Sequence, residues 1–189
     1  SEYGSSTLYE AMKAQPELSD FCRVLEATKL FANGKQTGTT YKELLDGDQF
    51  FTVWAPVNGT FDADEMIRKC QNSTEGDSLV EIQFLKNHIA RYSHSVNGDS
   101  TSVYMMNGKN MSFSSTMFGD ASLDETNENI GTRNGLLHIV KKPTSYFHNL
   151  YEFMANQEEY QYIGAFWKSY QENEFNERAS LAMGINENG

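Results

Sequence analysis

Between positions 8 and 31 apolar residues recur three and four apart, at Leu8, Ala11 and Met12 and again at Leu18, Phe21, Cys22 and Leu25. That spacing lines one face of a helix. It predicts two helices divided by Pro16, with Ser6 or Thr7 capping the first and Ser19 or Asp20 the second. The polar stretch ANGKQTGTTYKELLDGD reads as a loop around a helical turn at Tyr41–Leu45. The rhythm then changes to QFFTVWAPVNGTF at 49–61, where aromatic and β-branched residues make a short apolar run suited to a buried strand. Pro56 ends it, since proline gives no N–H to a ladder and biases Ala55 away from helix. Asn58-Gly59-Thr60 supplies a turn, and Asp62 or Thr60 caps a helix over 62–70 with Phe61, Met66, Ile67 and Cys70 inward. A further helix is predicted from Ser78, carrying Leu79, Ile82, Phe84 and Leu85 into LKNHIARYSH.

From Thr101 the pattern is that of strands. Runs at 103–106 and 111–114 flank Asn107-Gly108, a hairpin signal because both central positions of a type I′ turn need positive φ. Asn134-Gly135 then feeds the apolar run 136–140, and Pro143 stops it. Helices, a strand, more helices and several strands predict a mixed α+β domain built on a small sheet or sandwich.

The length of 189 residues is enough for one domain and an appendage. A net charge of −11, from 26 acidic and 15 basic residues, argues against nucleic acid or an anionic membrane as partner. No apolar run is long enough to insert in a membrane, and without a basic-then-apolar leader the chain reads as a mature or trimmed form. Cys22 and Cys70 have no CxxC spacing. They can pair in an oxidising compartment, but their apolar helical faces favour buried free thiols.

The chain also repeats itself. LYEAMKAQPE at 8–17 is matched by LYEFMANQEE at 150–159, so that Leu8, Tyr9, Glu10, Met12, Gln15 and Glu17 recur as Leu150, Tyr151, Glu152, Met154, Gln157 and Glu159. The first domain is expected to end near Thr144 and a second, truncated copy to begin near Asn149, helical to about Tyr170. That copy is expected to pack Leu150, Tyr151, Met154, Ile163, Phe166 and Trp167 on the first domain or on a partner chain.

At this point FTVWAPVNGTF resembles the first signature of the fasciclin domain, T-V-F-A-P-x-N-x-A-F, with Trp54 in place of phenylalanine. NGLLHIV at 134–140 resembles the second, N-G-x-I-H-V-I, and FLKNHI at 84–89 occupies the place of the family's Tyr-His motif, with His88 retained and Asn87 where tyrosine is usual. The resemblance implies a wedge of β-strands, or small sandwich, flanked by several α-helices, with both signature strands central. It implies a first domain at residues 1–148 and the start of a second at 149–189, in contact with it or with a following copy. Thr52, Ala55, Pro56, Asn58, Phe61, His88, Asn134, Gly135 and His138 become signature, structural residues. It also implies a non-enzymatic adhesion or interaction module with an extracellular protein or glycan ligand. Its location would be extracellular or at the cell surface, as in tandem-domain bacterial envelope lipoproteins.

The remaining chemistry is sparse. His88, His94, His138 and His148 lack ligand spacing, so no metal or cofactor is expected, and His88 and His138 read as hydrogen-bonded core histidines. No GxSxG or GxGxxG occurs, and Asp120, Asp124 and Glu125 depart from a calcium loop, reading as a solvated acidic loop. No enzyme is indicated. Sequons stand at Asn58, Asn72 and Asn110. Aromatic residues make up 13% of the chain, enough to raise the alternative of a carbohydrate-recognition or glycan-utilisation accessory domain. Its face would use Tyr92, His94, Tyr104 and Phe118, together with Phe113, Tyr146 and Phe147.

Overall fold

The computed structural model describes residues 4–72, 78–95, 98–127 and 129–147, and the chain divides into two units after Tyr146. The fold below is that of the first unit; the expected second copy lies outside the described residues.

Leu8–Lys13 (α1) is followed by a 3-10 turn at Pro16–Leu18 and by Ser19–Ala27 (α2). Thr7 caps α1, its hydroxyl accepting from Glu10 N at 3.2 Å. Neither Ser19 nor Asp20 caps α2; Asn58 Oδ1 accepts from Asp20 N at 2.8 Å instead. The predicted helix through position 31 stops at Ala27, because Thr28 is extended and Leu30 and Phe31 belong to a strand. Lys29–Ala32 (β1) and Lys35–Thr40 (β2) form an antiparallel hairpin in place of the expected loop. Its two-residue turn is Asn33-Gly34, with φ of 54° and 75°. Positive φ at both positions is the type I′ condition, so the Asn-Gly signal operates here. At Asn107-Gly108 glycine alone is left-handed, and Asn107 Oδ1 closes the loop by accepting from Lys109 N at 3.0 Å.

Thr40 caps Tyr41–Leu45 (α3), and Asp62 caps Ala63–Gln71 (α4), which follows the strand Phe51–Pro56 (β3). Ser78–Val80 (α5) winds on as a π-helix over Glu81–Leu85 and ends there. The helix predicted to run through LKNHIARYSH is therefore corrected: Ile89–Arg91 (β4) pairs antiparallel with β3. A short apolar run fits either period, and here Ile89 and Ala90 reach the core as a strand.

The remaining strands are Thr101–Tyr104 (β5), Asn110–Phe113 (β6), Met117–Phe118 (β7), Ala121–Ser122 (β8), Ile130–Thr132 (β9) and Gly135–Val140 (β10). With β3 and β4 they assemble into two four-stranded sheets, ordered β4-β3-β10-β9 and β5-β6-β7-β8. In the first, β3 and β10 lie parallel at the centre, registered from Phe51 opposite Gly135 to Pro56 opposite Val140. Every residue of both strands is buried, as a strand covered on two faces requires. Phe51, Val53, Leu137 and Ile139 pack against the helices with Leu8, Met12, Phe21 and Leu25. Trp54 and Val140 point the other way, into a second core with Val103, Phe113, Phe118 and Leu123. The protein is thus α+β, with helices on one face of the central sheet and a second sheet on the other. Gly135 lets α1 and β3 come this close: a Cβ there would stand 2.0 Å from Phe51 O and 2.5 Å from Leu8 Cδ1.

Candidate functional site

The polar residues of the two signature-like segments fasten elements together. Asn134 Oδ1 accepts from Leu8 N at 2.7 Å and its Nδ2 donates to Leu45 O at 2.9 Å, while its carbonyl accepts from Phe51 N. Its side chain thus ties the start of α1 to the end of α3, and its backbone holds the start of β3. Asn58 does the same for α2: beyond the bond from Asp20 N, its Nδ2 donates to Pro16 O and to Ser19 Oγ. The Asn58 sequon nitrogen is therefore committed, whereas Asn72 and Asn110 are exposed. Ala55 and Pro56 are buried in β3, and Phe61 lies half-buried against Phe84, ring centroids 4.9 Å apart.

The histidines hold backbone. His88 is fully buried; its Nδ1 donates to Phe84 O at 2.7 Å and its Nε2 accepts from Thr144 N at 3.0 Å. Those partners fix one neutral tautomer, and burial lowers its pKa from 6.5 to about 4 against the upward pull of the Phe84 carbonyl and Asp120. His138 donates from Nε2 to His94 O at 2.9 Å, and burial likewise lowers it to about 4. Its Nδ1 and the neighbouring Trp54 Nε1 have no hydrogen-bond partner among the described residues. His94 is half-buried and donates from Nε2 to Arg91 O. His148 lies outside the described residues. Both nitrogens of His88 are committed and sealed from solvent, so it is built to brace the chain.

Thr52 links this network to the surface. Its hydroxyl donates to Tyr92 O at 2.7 Å and accepts from His94 N at 3.0 Å. Tyr92 also donates from its backbone N to Phe50 O. Pinned at both ends, Tyr92 adopts φ of 71° with 73% of its surface exposed. A bulky L-residue in the left-handed region costs on the order of 1–2 kcal/mol, and here the cost aims an aromatic ring at solvent. The structure thus brings Thr52, Tyr92, His94 and His138 into one hydrogen-bonded chain.

Of the other residues expected to form a binding face, Tyr104 ends β5 and is exposed. Tyr146 lies under Lys109 Nζ, 5.3 Å from its ring centroid, and Phe147 is exposed. Phe118 is corrected: it is fully buried and stacks on Trp54 with ring centroids 4.4 Å apart. In the two-residue strand β7, Met117 takes the outward position and Phe118 the inward one. Phe113 is buried beside it, 5.2 Å from Trp54.

Cys22 and Cys70 are free, buried thiols, and burial pushes Cys22 up to about 11. Among the described residues, no three His, Cys, Asp or Glu side chains are grouped to hold a metal ion. An open groove is lined by Asp20, Arg23, Gly59, Phe61, Asp62, Ala63 and Asp64. Arg23 crosses it, pairing with Asp20 at 3.2 Å and Asp64 at 2.5 Å. No helix of the described residues is long and apolar enough to cross a membrane.

Sequence reasoning missed the roles of Asn87 and Asp120. Asn87 is buried, donates toward the carbonyls of Thr144 and Ser145, and accepts from Asn107 Nδ2 at 2.9 Å. Asp120 is exposed, as the solvated reading expected, yet it also accepts from Ser145 N at 2.9 Å and Ser145 Oγ at 2.5 Å. Their partners arrive from far along the chain, and no local pattern announces them. No family model matches the chain, and no curated protein matches it.

Proposed function

We propose that this chain is a fasciclin-like, non-enzymatic interaction module that works outside the cell or on its surface, with a second copy beginning near Asn149. The observation that carries the interaction role is Tyr92: an aromatic side chain fixed outward in a costly backbone conformation by a buried threonine. Strain held by surrounding structure at an exposed residue is a mark of a contact site, and aromatic anchors supply most of the energy at protein interfaces. The family reading is supported by the two signature-like segments, which pair with each other as the central parallel strands. The partner is an extracellular protein or glycan met by the Tyr92–His94 surface, and the domain acts as a rigid scaffold for that surface.

Beads carrying the full chain, tested on immobilised extracellular-matrix proteins and on a glycan array, distinguish the readings. Retention on a protein surface is expected, falling about tenfold or more when Tyr92→Ala removes the anchor, with an unchanged circular dichroism spectrum. Retention indifferent to Tyr92 refutes the proposed surface. Binding confined to the glycan array assigns the chain to carbohydrate recognition instead, a reading favoured by the exposure of Tyr104 as well as Tyr92.

A further inference from the structure

Beyond β10, residues 142–145 are gripped from two sides. On one side Asp120 Oδ1 accepts from Thr144 Oγ1 at 3.1 Å and from Ser145 N at 2.9 Å. Its Oδ2 accepts from Ser145 Oγ and faces Lys142 Nζ at 3.7 Å. On the other side His88 Nε2 accepts from Thr144 N at 3.0 Å, and Asn87 Nδ2 lies 3.4 Å from the carbonyls of both Thr144 and Ser145. The fit is close. Gly119 has φ of 57°, and a Cβ on it would stand 2.1 Å from Thr144 Oγ1 and 2.7 Å from Met111 Sδ. Residue 119 is thus held to glycine both by its backbone and by the chain lying on it.

We propose that His88, Asp120 and Asn87 form an acid-opened clasp on the segment through which the chain leaves the first unit. The successive amides of Thr144 and Ser145 are held by two acceptors, an imidazole nitrogen and a carboxylate, and protonation impairs both. His88 already gives its Nδ1 proton to Phe84 O, so its single lone pair is the one that Thr144 uses. A second proton on Nε2 would set two donors face to face in a buried site. The rings of Phe84 and Phe118 lie against His88, and the charge felt there is that of Asp120. Asp120 faces Lys142, Thr144 and Ser145, and Asn87 is neutral. Nothing in that set offers a new acceptor to a protonated His88 while the segment stays in place.

The direction follows from linkage. A histidine lowered in the closed state favours closure above its ordinary pKa and favours opening as pH falls below it. With His88 at about 4 when closed and 6.5 when open, the opening constant rises about 20-fold from pH 7 to pH 5. Burial pushes Asp120 up, but the bonds from Ser145 and Thr144 and the charge of Lys142 outweigh it, so its carboxyl stays below the usual range. The Asp120 arm is therefore released at still lower pH.

Amide hydrogen exchange on the full chain, corrected for intrinsic rates, tests the clasp independently of any adhesion partner. Protection at Thr144 and Ser145 is expected to fall about 20-fold between pH 7 and pH 5. It should stay below that of Leu137 in β10 and be insensitive to low urea, as local opening requires. Exchange of both amides at the Leu137 rate, or protection unchanged over that pH range, overturns the proposal. In His88→Gln the pH dependence should vanish while Asp120→Asn retains it, and persistence in His88→Gln is equally fatal. Should His88→Gln not fold, the nitrogen shifts of His88 in the unaltered chain decide: Nε2 must take up its proton in step with the exchange of Thr144.

Discussion

Replacing Asn134 with alanine would test whether one side chain fastens α1 to α3. The substitution removes the acceptor for Leu8 N and the donor for Leu45 O, both buried and both short, at 2.7 Å and 2.9 Å. Leu8 N is one of the first N–H groups of α1, which no carbonyl within the helix can satisfy. Leaving each of two buried groups unpaired costs about 1–3 kcal/mol, so the expected loss is on the order of 2–6 kcal/mol. At a urea slope of about 2 kcal/mol/M that is a midpoint lowered by about 1–3 M with the slope itself unchanged. Asn134→Asp sharpens the test. It keeps an oxygen for Leu8 N at a helix start, where negative charge is favoured, but sets that carboxylate against Leu45 O. Its stability should therefore recover relative to the parent as its carboxyl protonates. A midpoint shift in Asn134→Ala under about 0.3 M would refute the account of Asn134 as a shared fastener.

Tyr92→Gly should raise stability by up to about 1 kcal/mol, since relief of left-handed strain, about 1–2 kcal/mol, exceeds the flexibility glycine adds to the unfolded chain. The same change should abolish the proposed adhesion, and a loss of more than about 1 kcal/mol in urea unfolding would show that the ring packs on the domain. His88 and His138, each lowered to about 4 by burial, bind protons in the unfolded chain before the folded one. Their stabilisation is complete above pH 6.5 and is lost as pH falls from 6.5 to 4, by about 3 kcal/mol each. Urea midpoints constant from pH 7 to 4.5 would contradict this. Glu81→Leu should cost about 2–5 kcal/mol, because Glu81 Oε2 accepts from Tyr41 OH at 2.5 Å and Phe31 N at 3.1 Å. Exchange at the Phe31 amide is the direct readout, and unchanged protection there would count against the role.

The strands β3 and β10 were legible because aromatic and β-branched residues leave few alternatives, and because Pro56 and Pro143 punctuate them. The β1–β2 hairpin was not. KQTGTT is polar and only half-buried, so it carries no alternation, and its pairing rests on the backbone of Asn33-Gly34. In LKNHIARYSH the apolar Leu85 and Ile89 stand four apart, as on a helix, yet the helix stops and Ile89 enters a sheet. Sequence periodicity cannot separate those outcomes when the burial demand is met by another element. The candidate site was half legible. Tyr92 and Tyr104 stand in the open, but Phe118 has the same character and lies in the core, since a two-residue strand has no period to read. Nor does any feature of Tyr92 foretell positive φ; that is imposed by Phe50 O and by the hydroxyl of Thr52.

The parallel pairing of β3 with β10 bears on how the protein is made. A chain emerging from its N-terminus completes β3 long before Gly135 exists, and until then the strand has only β4 beside it. Contacts between positions so distant form late and slow folding. During that interval an apolar strand edge is open to pairing with another copy. Translation cut short before Val140 should thus yield a sticky fragment in place of a smaller domain, and synthesis of this protein should depend on how long β3 is shielded before its partner arrives.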